Sequence, residues 1–436
     1  MEPIKLSAWF AEKMQSRFAK NTFWIFAGQV SCQCLRAFYF LIIARLLGAE
    51  QYGLFVGVVA LVAVAVPFSS LGSTSLLIKN VARDRSVFSK YWGNALFLNS
   101  ITGSVLVLLV FLVARLLLPA HISTLLILCV ALGDLIFTRL LDNSAAAFQA
   151  FDSLHVTAQL YLFAGVAKLL GAIALLLLIP RPTATAWAVL YLVAAAVSAV
   201  LGVVRVCKRL GRPHLALHLV RLEALEGTYF SCGQSTETIY NDIDKTMLTA
   251  FSSLESAGIY AAAYRIIDVA FVPVNSLLWA SYSHFFIKGA VGIESSIAYA
   301  KRLLSRAGVY SIAASVGVFL FAPLVPHILG GQFLHTAEAM RWLAAIPILR
   351  MFHRFLAYSL AGAGYQGART AAQAGVALLN VFLNLWLIPA YSWRGAAWSS
   401  LASDGLLAIS LFLITSFIRR QHSRAVAAPA IMAVVE

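Results

Sequence analysis

The sequence predicts an all-α polytopic membrane protein with about twelve transmembrane helices in two six-helix lobes. Three observations predict it. Of 436 residues, 61% are hydrophobic and only 12% charged, with a mean hydropathy of +0.84, which is too apolar for a water-soluble fold. Apolar runs of about 20 residues, the length that crosses a hydrocarbon core, recur along the whole chain. Lys and Arg gather in alternate connections between those runs, the charge pattern of a multi-pass protein.

The elements follow in order. Residues 8–20 space Phe10, Met14 and Phe18 four apart, with Lys13, Arg17 and Lys20 on the other side, predicting an amphipathic helix in the headgroup layer. Spans are then predicted at 20–44, 53–78, 92–113, 121–141, 157–179, 186–206, 228–250, 258–286, 308–328, 337–360, 370–390 and 396–418, the seventh and tenth being the least apolar. Pro67 and Pro273 each remove a backbone donor from a span, predicting bends that could act as hinges. The basic N-terminal stretch runs without a small-residue cleavage pattern, so the first apolar segment is expected to stay as a span.

Orientation follows from charge. Basic residues crowd the N-terminal stretch and the regions 79–90, 205–221 and 288–306, and continue with Arg369 and the C-terminal tail. The opposite connections hold only Arg45, Arg115, Arg181 and Arg394. Both termini are therefore expected in the cytoplasm, with the chain in the cell (inner) membrane. The net charge of +15, from 33 Lys and Arg against 18 Asp and Glu, is then a matter of topology and implies no nucleic-acid partner. Cys32, Cys34, Cys129, Cys207 and Cys232 show no CxxC or metal-ligand spacing and read as small packing residues. No metal site or cofactor is expected.

The longest connection, 207–227, is basic and contains Pro213. It divides an N-terminal lobe, 1–206, from a C-terminal lobe, 228–436. Residues 44–67 echo 249–273: Gly53 matches Gly258, Phe55 matches Tyr260, Glu50 matches Glu255, and Pro67 matches Pro273 after one inserted residue. Six spans per half keep the two copies in the same orientation, predicting parallel repeats about an axis normal to the membrane.

The most polar stretch inside span-like sequence is 237–268. On a helix, Glu237, Asn241 and Asp244 share one face, and Asp242 and Lys245, three apart, can pair. An ionised group at the bilayer centre costs about 2.5 to 3.5 kcal/mol on insertion scales, so this helix is expected to line a wet cavity.

Here the residues carry a family resemblance. KNTFWIFAGQV at 20–30 and LIIARLLGAEQYGLF at 41–55 resemble the opening of the polysaccharide (O-antigen, Wzx-type) flippases. NDIDKTMLTAFSSLESAGIYAAAY at 241–264 is similar to that family's mid-chain signature through Asp244, Lys245, Gly258, Tyr260 and Ala263. The superfamily also contains multidrug exporters and peptidoglycan-precursor flippases, the latter typically with two further spans. The resemblance implies a V-shaped, MATE-like bundle that alternates between inward-open and outward-open states. It also implies a substrate built as an oligosaccharide on a polyprenyl pyrophosphate, and other polysaccharide-assembly membrane proteins as partners.

A lipid pyrophosphate needs cations at membrane depth. Arg36, Lys168, Arg265, Arg350 and Arg354 are the candidates, with Arg350 and Arg354 on one helical face beside His353. The alternative for each is an ion pair within the protein, such as Arg265 with Asp268. Glu237, Asp244, Asp268 and Asp404 are candidates for coupling to protons or sodium, or else counter-ions for Lys245 and the arginines. Tyr240, Tyr260, Tyr264, Trp279 and Tyr282 could stack on sugar rings or anchor spans at the interface.

GAGYQG at 362–367 fits a dinucleotide-binding pattern but follows a span, with no βαβ unit around it, and is expected to be a loop. No Walker lysine, HExxH or serine-elbow pattern is present, and no connection is long enough for a catalytic domain, so an enzyme is not expected. The competing functions are a cation-coupled drug exporter and, less well supported, a membrane glycan polymerase or transferase.

Overall fold

The computed structural model describes the backbone of residues 4–217, 228, 231, 235, 238, 239 and 241–435. Within that range it describes side chains from 31 to 421, except 279, 280 and 283. The described backbone is helical without strands, and among the described residues nine helices are long and apolar enough to cross a membrane. The chain is a multi-pass membrane protein. The amphipathic reading of 8–20 falls on side chains outside the described residues.

The helices are α1 (Ile4–Ala65), α2 (Ser73–Arg83), α3 (Phe88–Leu117), α4 (Thr124–Ala150), α5 (Leu154–Leu178) and α6 (Ala184–Arg209). They continue with α7 (241–251), α8 (Leu254–Val291), α9 (Ile293–Phe321) and the short α10 (Val325–Leu329). Last come α11 (Leu334–Leu343), α12 (Ile346–Gly362) and α13 (Gln366–Val435). Two of these hold a kink at a residue of positive φ: α1 at Gly48 (φ 71°) and α13 at Ser392 (φ 55°). Gly48 is required there, because positive φ penalises a Cβ and Gln332 fills the space one would occupy.

The first two predicted spans fall within one of the nine, Ser31–Arg83, and the two least apolar predicted spans are absent from the nine. Residues 337–360 are divided between α11 and α12, with Pro347 in the first turn of the second helix. Of 228–250, only 241–251 is described as continuous helix.

The expected bend at Pro67 is a full interruption. After Ala65 the chain passes through a 3₁₀ turn, Val66–Phe68, and then through Leu71 and Gly72, both at positive φ, before α2 starts. Polar side chains satisfy the loosened backbone: Ser231 Oγ donates to Pro67 O (2.7 Å), Ser69 Oγ to Val66 O (2.8 Å), and Thr102 Oγ1 to Ser69 O. Pro273 sits inside an uninterrupted α8, where Tyr310 Oη donates to Ala270 O (2.9 Å) beside the missing bond.

The chain divides into two compact units, residues 1–47 with 58–235, and residues 48–57 with 236–436. The first has its core around Phe88, Trp92, Leu141 and Phe148 on α3 and α4. The second packs Phe271, Leu278 and Phe285 of α8 against Met351 and Phe355 of α12, and Leu360 of α12 against Leu407 and Leu411 of α13.

Part of the connection read as a linker is fastened down. Asn94 Nδ2 donates to Ala216 O (3.2 Å), Ala216 N donates to Asn94 Oδ1 (2.9 Å), and His214 N donates to Ser89 O (2.8 Å). Gly93 leaves room for this strap, since a Cβ there would meet the His214 backbone. Residues 218–227 lie outside the described ones. Residues 362–367 form the expected turn, between α12 and α13. At the connection after α2, the Ser86 hydroxyl and the Ser86 N–H, which donates to Asp84 Oδ1 (2.9 Å), hold the Asp84 carboxyl below the usual carboxylate range.

Candidate functional site

In the first unit, α4 is interrupted at span depth by a π-helical turn, Gly133–Thr138. Such turns leave a carbonyl off register, and Asn99 Nδ2 donates to Ile136 O (3.2 Å) to meet one. The turn brings Asp134 to α6, where Tyr191 Oη donates to Asp134 Oδ1 (2.6 Å). The other side of the Tyr191 ring carries the Lys168 ammonium, 4.0 Å from its centroid. Leu35 of α1 packs on Gly165 of α5, which sets Arg36 and Lys168 on neighbouring helices at similar depth.

Arg36 is exposed and donates a long hydrogen bond to Gln33 Oε1 (3.4 Å). Among the described residues neither Arg36 nor Lys168 has a carboxylate within ion-pair distance. An uncompensated cation on a span must be hydrated or meet an anion. Nearby, Arg139 pairs with Asp142 (2.7 Å), which also accepts from Tyr161 Oη (3.1 Å). The sequence reading missed Arg139, Asp142, Tyr161 and Tyr191, although the i,i+3 spacing of Arg139 and Asp142 was a usable signal.

The second unit is built differently. Asp244, expected on a cavity-lining face, is instead buried at 2% exposure, and Lys245 is nearly as enclosed. Tyr260 Oη and Ser400 Oγ (3.3 Å) both donate to Asp244 Oδ2, and Lys245 N donates to Asp244 Oδ1 (2.8 Å). Lys245 Nζ makes the expected pair with Asp242 Oδ1 (2.6 Å) and also donates to Asn241 O (2.9 Å). Burial with every oxygen engaged makes Asp244 a structural anchor joining α7, α8 and α13.

Tyr264 links this anchor to a second group. Its ring lies 5.0 Å from Lys245 Nζ and 5.2 Å from the Arg350 guanidinium. Arg350 Nη1 donates to Asp268 Oδ1 (2.7 Å), and Arg350 Nε stands 3.8 Å from Asp404 Oδ2. His353 Nε2 lies 3.4 Å from the other Asp404 oxygen. Asp268 therefore pairs with Arg350 and is not restricted to Arg265, its neighbour on α8. Arg354, one turn further along α12, donates to Asn275 Oδ1 (2.6 Å) and stacks over Phe271 (5.7 Å). Glu237 and Tyr240 fall outside the described residues, as does the Trp279 side chain.

The profile of the family described as polysaccharide biosynthesis protein matches residues 18–286, well over half the chain. The chain belongs to the polysaccharide biosynthesis protein family. No curated protein sequence matches it at a significant level. Among solved structures, this polysaccharide biosynthesis protein is similar to an inward-facing multidrug resistance MATE family transporter of the MOP superfamily. The two share 16% identity at a TM-score of 0.72, covering 88% of this chain and 94% of that one. It is also similar to the lipid II flippase MurJ in an inward closed conformation, at 12% identity and a TM-score of 0.69, covering 91% and 87%. A MOP superfamily transporter from Pyrococcus furiosus, described as having a binding pocket of reversed polarity, matches at 16% identity and a TM-score of 0.64, covering 91% and 95%. These likenesses give the fold: an all-α, MATE-like bundle.

Proposed function

We propose that this family member is a flippase. It carries an oligosaccharide linked to polyprenyl pyrophosphate from the cytoplasmic to the outer face of the cell (inner) membrane, by alternating access and without covalent chemistry. The observation that carries the reading is the pair Arg36 and Lys168, cations on spans with no carboxylate partner among the described residues. A diphosphate supplies the missing negative charge, and the tyrosines beside them offer faces for sugar rings. In the second unit Arg350, paired with Asp268, and Arg354 add two further guanidinium groups, and Arg265 on α8 is a third candidate. Both termini lie in the cytoplasm, and 207–227 separates a lobe formed by 1–206 from one formed by 228–436. Pro67 and Pro273 are the hinges, Pro67 the stronger because its helix is already interrupted. Other polysaccharide-assembly membrane proteins would deliver and receive the glycan.

A cation-coupled exporter of small molecules is the second reading. It is favoured by the crowding of Asp242, Asp244, Asp268 and Asp404 around Lys245 and Arg350. In either reading Glu237, Asp268 and Asp404 are the groups that would couple transport to protons or sodium, Asp244 being engaged as the anchor. Cells depleted of the protein distinguish the two. A flippase predicts that its lipid-linked oligosaccharide accumulates on the cytoplasmic leaflet, out of reach of an external sugar oxidant. An exporter predicts normal glycan display and altered drug tolerance.

A further inference from the structure

We infer that Asp268 is a built-in stand-in for the substrate's anion, holding Arg350 until a diphosphate displaces it. The inference rests on Arg350 being a substrate-binding residue.

Arg350 is served by two carboxylates that differ in kind. Asp404 is enclosed, its side chain 4% exposed, and approaches Arg350 Nε at 3.8 Å, an ion pair without a hydrogen bond. Asp268 is 47% exposed and takes the close, charge-assisted hydrogen bond at 2.7 Å. An ionised side chain so exposed on a span requires water around it, so an anion arriving through that water meets Asp268 first. Exchange there is cheap: when Asp268 leaves, Asp404 still stands 3.8 Å from Arg350 Nε, and Tyr264 still supports the guanidinium at 5.2 Å. Asp268 in turn can swing to Arg265, three residues back on α8.

The site favours a diphosphate over the carboxylate. Asp268 engages Arg350, and Arg354, one turn along the same face, donates to the Asn275 amide. Side chains four apart on a helix are about 5–6 Å apart at their Cβ atoms, a span that two linked phosphates cover and one carboxylate does not. Asp268 thus keeps the arginine oriented and closed to weak monoanions.

The test is calorimetric binding of inorganic pyrophosphate and farnesyl pyrophosphate to the purified full chain in nanodiscs. Wild type, Asp268→Asn, Asp268→Glu and Arg350→Gln are compared, with thermal unfolding confirming that each is folded. Asp268→Asn should bind both ligands about tenfold tighter, the order expected when one charged hydrogen bond no longer has to be broken. Asp268→Glu, which keeps the competitor, should stay near wild type, and Arg350→Gln should lose most binding. Unchanged or weaker binding by Asp268→Asn, with Arg350→Gln still defective, overturns the stand-in alone. Binding indifferent to Arg350→Gln, or no binding by any form, overturns the reading of Arg350 and the stand-in with it.

Discussion

Gly53 and Gly258 meet backbone to backbone, and the contact is reciprocal. A Cβ on Gly53 would fall on the carbonyl oxygen of Leu254, four residues before Gly258, with Gly258 N at 2.5 Å. A Cβ on Gly258 would fall on the carbonyl oxygen of Ala49, four residues before Gly53, with Gly53 N at 3.1 Å. Equivalent atoms thus exchange roles across the contact. These are the glycines paired by the internal echo of 44–67 in 249–273.

Either glycine replaced by alanine must force the two helices apart. Gly53→Ala and Gly258→Ala should each destabilise by about 1–3 kcal/mol, the range for overpacking, and lower the unfolding temperature in detergent. Gly317→Ala on α9, with nothing within 4 Å of its missing Cβ, is the control and should unfold at or slightly above the wild-type temperature.

What the sequence disclosed and what it hid divides by the reach of the interaction. Spans, the Asp242–Lys245 pair and the Gly53–Gly258 equivalence are written in hydropathy, i,i+3 spacing and repetition, all of which one chain shows. Arg350 with Asp268, and Tyr191 with Asp134, join residues 82 and 57 positions apart, and no local pattern announces them. The burial of Asp244 was hidden for the same reason: Tyr260 lies on the next helix and Ser400 on α13. The interruption at Pro67 was half visible, because proline predicts a lost bond but not the positive φ of Leu71 and Gly72 that completes the break.

The Asp244 anchor makes a stability prediction. Tyr260→Phe removes the donor to Asp244 Oδ2 and a contact with Ser400 Oγ (2.8 Å) in a fully buried setting, so it should cost about 1–3 kcal/mol. Tyr282→Phe, at an exposed ring, should change unfolding by less than about 0.5 kcal/mol. Differential scanning fluorimetry of the two variants checks the contrast.

The first-unit cations should separate function from stability. Among the described residues Lys168→Gln and Arg36→Gln orphan no carboxylate, so unfolding should stay within about 0.5 kcal/mol of wild type for Arg36→Gln and about 1 kcal/mol for Lys168→Gln, which gives up its contact with the Tyr191 ring, while pyrophosphate binding falls about tenfold. Arg139→Gln, which strips Asp142 of its partner at 2.7 Å, should instead lower stability. Parallel unfolding and binding titrations read both.

The strap at 211–216 is held through Asn94. Asn94→Ala removes both hydrogen bonds to Ala216 and should make the bond after the exposed Leu215 several-fold more sensitive to chymotrypsin. Fragment masses from limited proteolysis identify the cut.

The central claim is tested most directly by flipping in proteoliposomes. Purified protein is reconstituted with a pyrophosphate-linked lipid oligosaccharide, and transfer is scored as accessibility to an external sugar-modifying enzyme. Wild type, Arg36→Gln/Lys168→Gln and Arg350→Ala/Arg354→Ala are compared, with and without an ion gradient. The account predicts flipping by wild type and its loss in both double variants, each still folded. Wild type that leaves the lipid unflipped under every gradient would contradict it.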